Sequence, residues 1–354
     1  MKIRRLVLLL CLCLAIALSY HLVNRGLVTT PIKKFIDDHF VLKNGGVLIE
    51  NTDRDTVLSE SAGLYLIVCV ISKDRPAFDR TYAFIKKELI SDKGVLYWKI
   101  DLTTGKKEHS SASIDDLRVV RALLVAFDAW KDGYYLREAL ALADAVKKTQ
   151  VRSGYLVESF SWENTDGPSQ AVKMSYLDLS TMKILSKYDP AWGGIYEKSV
   201  TLIGYSVNAA GLFREEYDIE SNSFRYGDGN MINQLMTSLH LCEAGAAAPG
   251  IVLSDFCKAR LDRDGKIHDM YDEKGRPASK DECAAVYALA ARLFGALKDA
   301  TYRKIACAKM LSFEVKDPRS RYYGGFGLFG LYEKKVFNSF DSFQAFLTAT
   351  DNQR

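Results

Sequence analysis

The segment that decides the fold of this chain is Thr56-Val57-Leu58-Ser59-Glu60-Ser61-Ala62-Gly63-Leu64-Tyr65-Leu66. Apolar residues recur along this segment, and beyond it to Ile71, at the spacing of one helical face. Such a face must pack against a core, so the segment predicts a helix that faces the protein interior. A single carboxylate, Glu60, lies in its first turn.

Glu60 is the first candidate for chemistry. We expect Ser59 to cap the helix, because a serine hydroxyl can accept a hydrogen bond from a free backbone N–H group. A carboxylate held at the start of a helix, with apolar packing behind it, has the placement of a general acid. The alternative is a carboxylate that only complements the helix dipole.

Two adjacent acids, Asp115 and Asp116, open another predicted helix. They precede the apolar run that ends at Trp130. Adjacent helical residues point about 100° apart, so at most one of the two can face the same point as Glu60. The alternatives are a capping Asp beside a solvated neighbour, or an Asp paired with Arg118.

A third acid, Asp228, stands between two glycines just before the helix predicted for residues 230–244. Asp218, which precedes it, is a rival for the same role. The alternative for Asp228 is a plain turn residue, because Asp beside Gly is common in turns. Three acids at three helix N-termini nevertheless form a constellation on which a functional hypothesis can rest.

The net charge of +4 does not indicate a polyanionic partner. Four basic residues around the N-terminal leader equal the whole excess, so the rest of the chain is balanced. Nucleic acid is therefore not expected as a ligand. The four residues are Lys2, Arg4, Arg5 and Arg25.

Residues 1–23 combine a basic start with an apolar run, which is typical of an export signal peptide or an N-terminal membrane anchor. Ala15 and Ala17 could mark a cleavage site, but the apolar run extends to about 18 residues, near the length that spans a bilayer. We favour the anchor. Residues 24–30 are interpreted as a linker, and residues 31–350 as one domain, expected to be monomeric. The expected location is the extracytoplasmic face of the cell membrane, or outside the cell if the leader is cleaved.

The cysteines predict neither a disulfide framework nor a metal site. Their number after the leader is odd, no two form a C-x-x-C pair, and most lie in apolar helical segments. We expect buried free thiols. No His and Cys residues have metal-site spacing, and neither a metal nor an organic cofactor is expected. The five cysteines are Cys69, Cys242, Cys257, Cys283 and Cys307.

The rest of the sequence predicts about eleven or twelve helices separated by short β-like excursions. Two of these helices are expected at Ser175–Tyr188 and Tyr196–Phe213. The strands are too few and too short for a parallel sheet. Helices joined by short loops pack as antiparallel hairpins, and about six hairpins in this length predict an all-α fold, a closed toroid of helices.

Aromatic residues lie in or near the acidic segments. Aromatic faces stack on sugar rings, and a pair of carboxylates flanks the scissile bond in glycoside hydrolysis. The pattern therefore favours glycoside hydrolysis, although core packing is the alternative for at least half of these side chains. They are Tyr65, Tyr97, Trp98, Trp162, Tyr176, Trp192 and Tyr226.

These segments resemble glycoside hydrolase family 8, a family of bacterial cellulases, chitosanases and xylanases. Ser59–Leu64 is similar to the family segment S-E-G-Q-x-Y-G, which holds the proton donor. The signature A-[ST]-D-[AG]-D and its apolar helix align without gaps on Ala112–Trp130. Met174–Tyr176 with Asp189–Trp192 is similar to P-S-Y and P-x-W, and Tyr226–Asp228 to the Y-x-D that carries the general base.

The resemblance is partial at several positions. Ser61 and Ala62 replace the Gly and Gln that follow the proton donor. Ile114 replaces the first Asp of the signature and Asp115 the small residue, which leaves Asp116 on the second Asp. The Arg that usually follows the base is missing. The pattern is most similar to the membrane-tethered branch associated with exopolysaccharide and biofilm loci.

The resemblance implies an (α/α)6 barrel that hydrolyses a β-linked exopolysaccharide with inversion. Glu60 would be the general acid, Asp228 or Asp218 the general base, and Asp116 the group that orients the sugar in the central subsite. Inversion requires the acid and the base to lie about 6.5–9.5 Å apart. The residues expected to bind the sugar are Asp115, Tyr65, Trp98, Tyr176 and Tyr226.

Two other functions remain open at this point. A barrel that has lost family residues could bind a glycan without cutting it and assist polysaccharide export. An unrelated helical toroid, such as a lyase or an epimerase, would need a His or Tyr base in its cleft. His109 is the histidine that lies near a motif.

Overall fold

The computed structural model describes residues 29–162, 167–327 and 336–351. The predicted leader, residues 1–23, lies outside the described residues, and Thr29 and Thr30, which were assigned to the linker, already belong to the first helix. Helix α3 continues into a π-helical turn at Ile85–Leu89. The helices within the described ranges are α1 (residues 29–39), α2 (Ser59–Ile71), α3 (Arg75–Phe84), α4 (Ser113–Trp130), α5 (Gly133–Gln150), α6 (Leu179–Leu185), α7 (Ala191–Ser206), α8 (Met231–Ala244), α9 (Ala248–Asp264), α10 (Ala284–Ala296), α11 (Ala300–Met310) and α12 (Ser339–Asp351).

Six of these helices form a closed inner ring. The even-numbered helices pack on one another in the order α2, α4, α6, α8, α10 and α12, and α12 packs back on α2. Helices α3, α5, α7, α9 and α11 each pack on the inner helix that precedes them. This arrangement is an (α/α)6 barrel, which confirms the predicted toroid of helical hairpins.

Burial separates the two layers of the barrel. Helix α10 buries ten of its thirteen residues, because an inner helix is enclosed by neighbours on nearly every side. Helix α5 buries six of its eighteen residues and keeps a polar face toward water. The apolar run that continues from Glu60 belongs to the first kind, as predicted.

The strands are short and antiparallel, and two of them lead directly into inner helices. Strand β1 pairs with β2, with Val57 opposite Ile100, and runs into α2. Strand β3 pairs with β6 and runs into α4. Sheet hydrogen bonds therefore hold the backbone where these helices begin. The strands are β1 (Thr56–Leu58), β2 (Lys99–Asp101), β3 (Ser110–Ala112), β4 (Val151–Arg152), β5 (Tyr155–Leu156), β6 (Ser159–Ser161), β7 (Gly167–Pro168), β8 (Ala171–Lys173), β9 (Glu216–Asp218) and β10 (Ser223–Arg225).

Two predicted helices differ in extent from the observed ones. The segment Ser175–Tyr188 divides into a 3₁₀ turn, Met174–Tyr176, and α6. The division falls at Asp178, whose carboxylate accepts a hydrogen bond from the N–H group of Thr181 at 3.1 Å and so starts a new helix. Helix α7 begins directly after Pro190, earlier than predicted, because proline fits the start of a helix.

The prediction of free thiols is confirmed for the five cysteines that follow the leader, whereas their burial is confirmed for two. Cys69 and Cys257 are buried, and Cys242, Cys283 and Cys307 are half-buried. Burial raises the pKa of the Cys257 thiol to about 12, so this group is an inert part of the core. In the described part of the chain, no helix is long and apolar enough to cross a membrane. No three His, Cys, Asp or Glu side chains of those ranges are grouped to hold a metal ion.

A buried ion-pair network joins the inner helices inside the barrel. Glu243 accepts hydrogen bonds from Arg121 at 2.6 Å and from Arg292 at 2.9 Å. Arg292 also contacts Asp351 at 3.0 Å, and these groups line an axial cavity of about 170 Å³. Burial opposes ionisation of Glu243, but the two arginines lower its pKa to about 2. The network therefore links α4, α8, α10 and α12 through buried charged side chains, which the sequence analysis did not single out.

Candidate active site

One cleft opens where the inner helices begin. Helices α2, α8 and α12 contribute their N-terminal turns to it, and α4 contributes Arg118 from its second turn. Its volume is about 390 Å³. Both apolar and polar side chains line it, which is the character of a binding site. The polar and aromatic side chains that matter here are Glu60, Arg118, Tyr176, Asn233, Ser339 and Asp341.

Glu60 lies in the first turn of α2 and lines this cleft. Its side chain is 31% exposed, and its Oε1 accepts a hydrogen bond from Arg118 Nη1 at 2.8 Å. Gly63 allows this approach, because a Cβ atom added there would lie 3.0 Å from the Cβ of Arg118. The predicted general acid is therefore accessible to a ligand and held by an arginine of α4.

Ser59 does not cap α2, contrary to the expectation. The N-cap residue is Leu58, which has no side-chain cap bond. The Ser59 hydroxyl instead donates a hydrogen bond to Oδ2 of Asp115, in the first turn of α4, at 2.7 Å. Its backbone N–H group donates to the carbonyl of Trp98 at 3.0 Å. The start of α2 is thus fixed by the strand pairing and by α4 rather than by a local cap.

Asp115 is the acid of α4 that turns toward Glu60. It is buried and bonded to Ser59 and to Arg118 Nη1, the latter at 2.8 Å. Burial raises the pKa of Asp115 to about 6, against the opposing effect of Arg118 and with a smaller contribution from Glu60. Arg118 thus bridges the two carboxylates. The pairing of Asp115 with Arg118 was one of the alternatives that the sequence left open.

Asp116 points away from the cleft, as the 100° offset between adjacent helical residues requires. It is fully buried and accepts hydrogen bonds from the backbone N–H of Leu96 at 2.8 Å and from Gln150 Nε2 at 2.7 Å. Burial raises its pKa to about 8. The carboxylate that the gapless alignment assigned to the sugar therefore fastens the loop before β2 to α4 and α5.

Asp116→Asn is expected to leave kcat/KM within about threefold and to flatten the pH dependence of stability. The pKa of Asp116 is higher in the folded than in the unfolded chain, so its contribution is complete below about pH 4 and is lost as the pH rises through about 8. Asparagine removes this titration. It can still accept from Leu96, and Gln150 can turn its Oε1, which has no partner within the described residues, toward the new amide.

Melting temperatures of both proteins between pH 5 and 9 measure this effect. The wild type should lose more stability than Asp116→Asn over that range. A fall of more than about 100-fold in kcat/KM at an unchanged melting temperature would instead restore Asp116 to the sugar-binding role.

Asp228 lies on an exposed turn before α8, outside the lining of the cleft. Its Oδ1 accepts a hydrogen bond from the N–H group of Asn230 at 3.1 Å, which is the turn geometry considered as an alternative. Asp218 is a weaker candidate for the base, because its Oδ1 is taken by the backbone and hydroxyl of Ser221 in the β9–β10 hairpin. Of the two, Asp228 is the one on a segment that leads into the cleft.

Glu215, which the sequence analysis did not single out, supports this turn from below. Its carboxylate is buried and accepts from Asn233 Nδ2 at 3.2 Å and from Gln234 Nε2 at 3.3 Å. A Cβ atom on Gly227 would lie 3.0 Å from Glu215 Oε2. Burial, and secondarily the charge of Asp228, raise the pKa of Glu215 to about 7. Glu215 therefore connects the Asp228 turn to Asn233, which lines the cleft.

Gly229→Ala is expected to lower the free energy of unfolding by about 2–4 kcal/mol. Gly229 has a φ of +69°, and an added Cβ atom would lie 1.8 Å from the carbonyl oxygen of Tyr271. Gly265→Ala is the matched control, because Gly265 has a φ of +67° and no atom within 4 Å of the added Cβ. It should cost only about 1 kcal/mol. Equal losses in denaturant unfolding of the two variants would contradict the tight packing of this turn.

The four predicted aromatic contacts divide into three kinds. Tyr176 lines the cleft, and burial, followed by the charge of Asp115, raises its pKa to about 12. Trp98 is 38% exposed and lies outside the lining of the cleft, although its carbonyl accepts the hydrogen bond from the N–H group of Ser59. Tyr65 is buried and donates to Asp37 at 2.8 Å, and Tyr226 donates to the carbonyl of Tyr271 at 2.8 Å. The hydroxyl groups of the last two are used inside the fold, and neither residue lines the cleft.

Asp341 is a second acid that the sequence analysis missed. It lies in the first turn of α12 and lines the same cleft as Glu60. The sequence contains a signal for it, since Asn338-Ser339-Phe340-Asp341 opens an apolar helix with an acid, as the other acidic segments do. It was not recognised because no family motif covers this segment.

The barrel and its cleft define a class of protein. The inner helices of the (α/α)6 barrel bring carboxylates and an aromatic ring together where they begin. Glycoside hydrolases use a pair of carboxyl groups for catalysis, and aromatic rings can stack on sugars. The sequence profile of glycosyl hydrolases family 8 matches residues 13–216, which is more than half of the chain. The chain belongs to glycosyl hydrolases family 8.

Relatives and solved structures agree with this membership. YdaJ of Bacillus subtilis (strain 168), a candidate lipoprotein by name, is 25% identical over 299 residues, which are 84% of this chain and 81% of YdaJ. An α-amylase from Clostridium perfringens superimposes with a TM-score of 0.81 at 26% identity and covers 92% of this chain and 98% of its own. PssZ from Listeria monocytogenes gives 0.71 at 22% identity, with 90% and 94% covered.

The endoglucanase Cel10 from Klebsiella pneumoniae, a family 8 glycosyl hydrolase, gives a TM-score of 0.69 at 16% identity and covers 92% of this chain and 100% of its own. At such identities PssZ and Cel10 support the fold alone. Together these comparisons place the whole barrel, and not only the matched profile, within the architecture of the family.

Proposed function

We propose that this protein hydrolyses the glycosidic bonds of a β-linked exopolysaccharide by an inverting acid–base mechanism. The observation that carries the proposal is the position of Glu60. It is a partly exposed carboxylate at the start of an inner helix, in a cleft that also holds a tyrosine ring and a second carboxyl group. Family membership supplies the reaction class to which this geometry fits.

In the proposed reaction Glu60 donates its proton to the leaving glycosidic oxygen as the bond to the anomeric carbon breaks. A water molecule attacks that carbon from the opposite face and gives its proton to Asp228. Tyr176 stacks on a sugar ring. Asp115, rather than Asp116, acts in this site, where it holds Arg118 against Glu60.

The test is to incubate the protein with a set of polysaccharides and to measure the release of new reducing ends from each. β-1,4-Glucan, β-1,3-1,4-glucan, xylan and chitosan cover the β-linked substrates of the family. Proton NMR of the first products reports the mechanism, because inversion of a β-linked substrate yields the α-anomer first. Absence of new reducing ends from every polymer, together with binding of one of them, would favour the non-cleaving glycan-binding protein.

An α-linked glucan is the second candidate substrate. It is favoured by the α-amylase from Clostridium perfringens, which shares 26% of its residues with this chain and matches nearly its full length. Soluble starch belongs in the same assay for that reason. Cleavage of starch but of no β-linked polymer would assign the protein to α-glucan hydrolysis.

We propose that the protein acts on the extracytoplasmic face of the membrane, held there by residues 1–23. The apolar leader supports this, as does the likeness to YdaJ, whose name is that of a lipoprotein. Membrane fractionation of cells that express the full chain checks the location. Removal of residues 1–23 should then move the protein out of the membrane fraction.

A further inference from the structure

The N-terminal turn of α12 lies directly beside that of α2. The hydroxyl oxygens of Ser339 and Ser61 are 2.9 Å apart, and both residues line the cleft. Glu60 precedes one serine, and Asp341 follows the other by two positions. The closure of the ring therefore brings a second carboxyl group into the compartment that holds the proposed general acid.

Among the described residues, only one oxygen of Asp341 has a hydrogen-bond partner. Its Oδ1 accepts a hydrogen bond at 2.7 Å from the backbone N–H of Ala285, the second residue of α10. Helix α10 needs this bond, because its N-cap residue, Cys283, provides no side-chain cap. Within the described residues Oδ2 accepts no hydrogen bond and no ion pair includes Asp341, although the residue lines the cleft.

The surroundings of Asp341 favour a carboxylate that is ready to accept further hydrogen bonds. It lies at the N-terminal ends of both α10 and α12, where helix dipoles stabilise negative charge. Burial raises its pKa to about 6, which still leaves it ionised at neutral pH. Sugar hydroxyl groups can donate to such an oxygen, and a hydrogen bond to an ionised carboxylate is stronger than one between two neutral groups.

We infer that Asp341 is a substrate-contacting residue, whose Oδ1 caps α10 while its Oδ2 accepts hydrogen bonds from the hydroxyl groups of the sugar held next to Glu60. This inference rests on the proposed function, because it requires a glycan in the cleft. It assigns to one side chain both the start of α10 and the placement of the sugar. The alternative is that Asp341 only caps α10 and makes no contact with the sugar.

Asp341→Asn separates these two roles. The asparagine Oδ1 can still accept from Ala285, so helix α10 keeps its cap, whereas the charge and the second acceptor are lost. We expect kcat/KM on the cleaved polysaccharide to fall roughly 10–100-fold, the loss of a hydrogen bond to a charged group. The melting temperature should change little. Asp299→Asn is the matched control. Asp299 caps α11 by accepting a hydrogen bond of 3.2 Å from the N–H group of Tyr302, and it does not line the cleft.

The outcomes distinguish this inference from the proposed function. Unchanged kcat/KM in Asp341→Asn, with an active wild type, overturns the role of Asp341 and leaves the hydrolase intact. If Asp341→Asn is unstable, Asp341→Glu keeps the charge but displaces the carboxylate by one methylene, and unaltered kcat/KM in that variant also overturns the role. If the wild type cleaves no polymer, calorimetric titration of the same glycans decides. Weaker binding by Asp341→Asn supports the contact, and equal binding, or no binding by the wild type, refutes it.

Discussion

Glu60→Gln is expected to lower kcat on the cleaved polysaccharide by about 10²–10⁴-fold, the usual contribution of a general acid. The amide cannot donate a proton to the leaving oxygen. It has nearly the size of the carboxylate, and its Oε1 can still accept from Arg118 Nη1. The fold should therefore be retained. Initial rates of reducing-end release and a melting curve of the same preparation measure the two properties.

Glu197→Gln is the matched control for this substitution. Glu197 is an exposed residue of the outer helix α7, so its removal should change neither rate nor stability. Binding of the polysaccharide should survive in Glu60→Gln, because the other groups of the cleft are untouched. Full activity in Glu60→Gln would remove Glu60 from the mechanism and the proposed hydrolysis with it.

Arg118→Met is expected to have the largest effect on stability, about 3–5 kcal/mol of unfolding free energy. The Arg118 side chain is 9% exposed and contacts the carboxylates of Glu60 and Asp115 at 2.8 Å each. Methionine has a similar length but no charge. Asp115 would then be left buried, with only the Ser59 hydroxyl as its partner among the contacts described above.

The loss in Arg118→Met should depend on pH. Burial already raises the pKa of Asp115 to about 6, and loss of the arginine removes the effect that opposes this rise. An acid whose pKa is higher in the folded than in the unfolded chain contributes stability that is complete below about pH 4 and is lost as the pH rises through the folded value. Denaturant unfolding should therefore show a smaller deficit at pH 5 than at pH 8.

Two further variants check this explanation of the Arg118→Met deficit. Asp115→Asn in the same chain should recover part of the stability at pH 8, because it removes the unpaired buried charge. Arg137→Met, on the exposed side of α5, is the matched control and should cost little. A deficit that is equal at both pH values and is not relieved by Asp115→Asn would point to lost packing instead.

The fold was predictable because its information is local. Each inner helix shows its apolar character in its own residues, and each acid at a helix start is visible within a few positions of the apolar run. That pattern located Glu60 and the first turns of α4, and the short loops between helices predicted hairpins. Helix limits were less predictable at Asp178 and Pro190, where a single capping or ring-constrained residue moved the boundary.

The roles of neighbouring acids were not predictable from the same pattern. Asp115 and Asp116 are equivalent in hydropathy, and the family alignment favoured Asp116. In the structure Asp115 accepts hydrogen bonds from Arg118 and Ser59. Asp116 accepts them from Leu96 and Gln150. The rotation of α4 about its axis decides between them, and the β3–β6 pairing holds the backbone directly before this helix.

Local sequence patterns were enough to predict a ring of helical hairpins and to place Glu60 in the first turn of an inner helix, because helical periodicity and helix starts are properties of short segments. The acids that line the same cleft are brought together by the packing of helices that are distant in the sequence. Asp341 meets Glu60 because α12 closes the ring against α2, and Arg118 joins Glu60 to Asp115 because Gly63 lets two helices approach. Contacts between residues so far apart in the chain depend on the packing of whole helices, which no local pattern encodes.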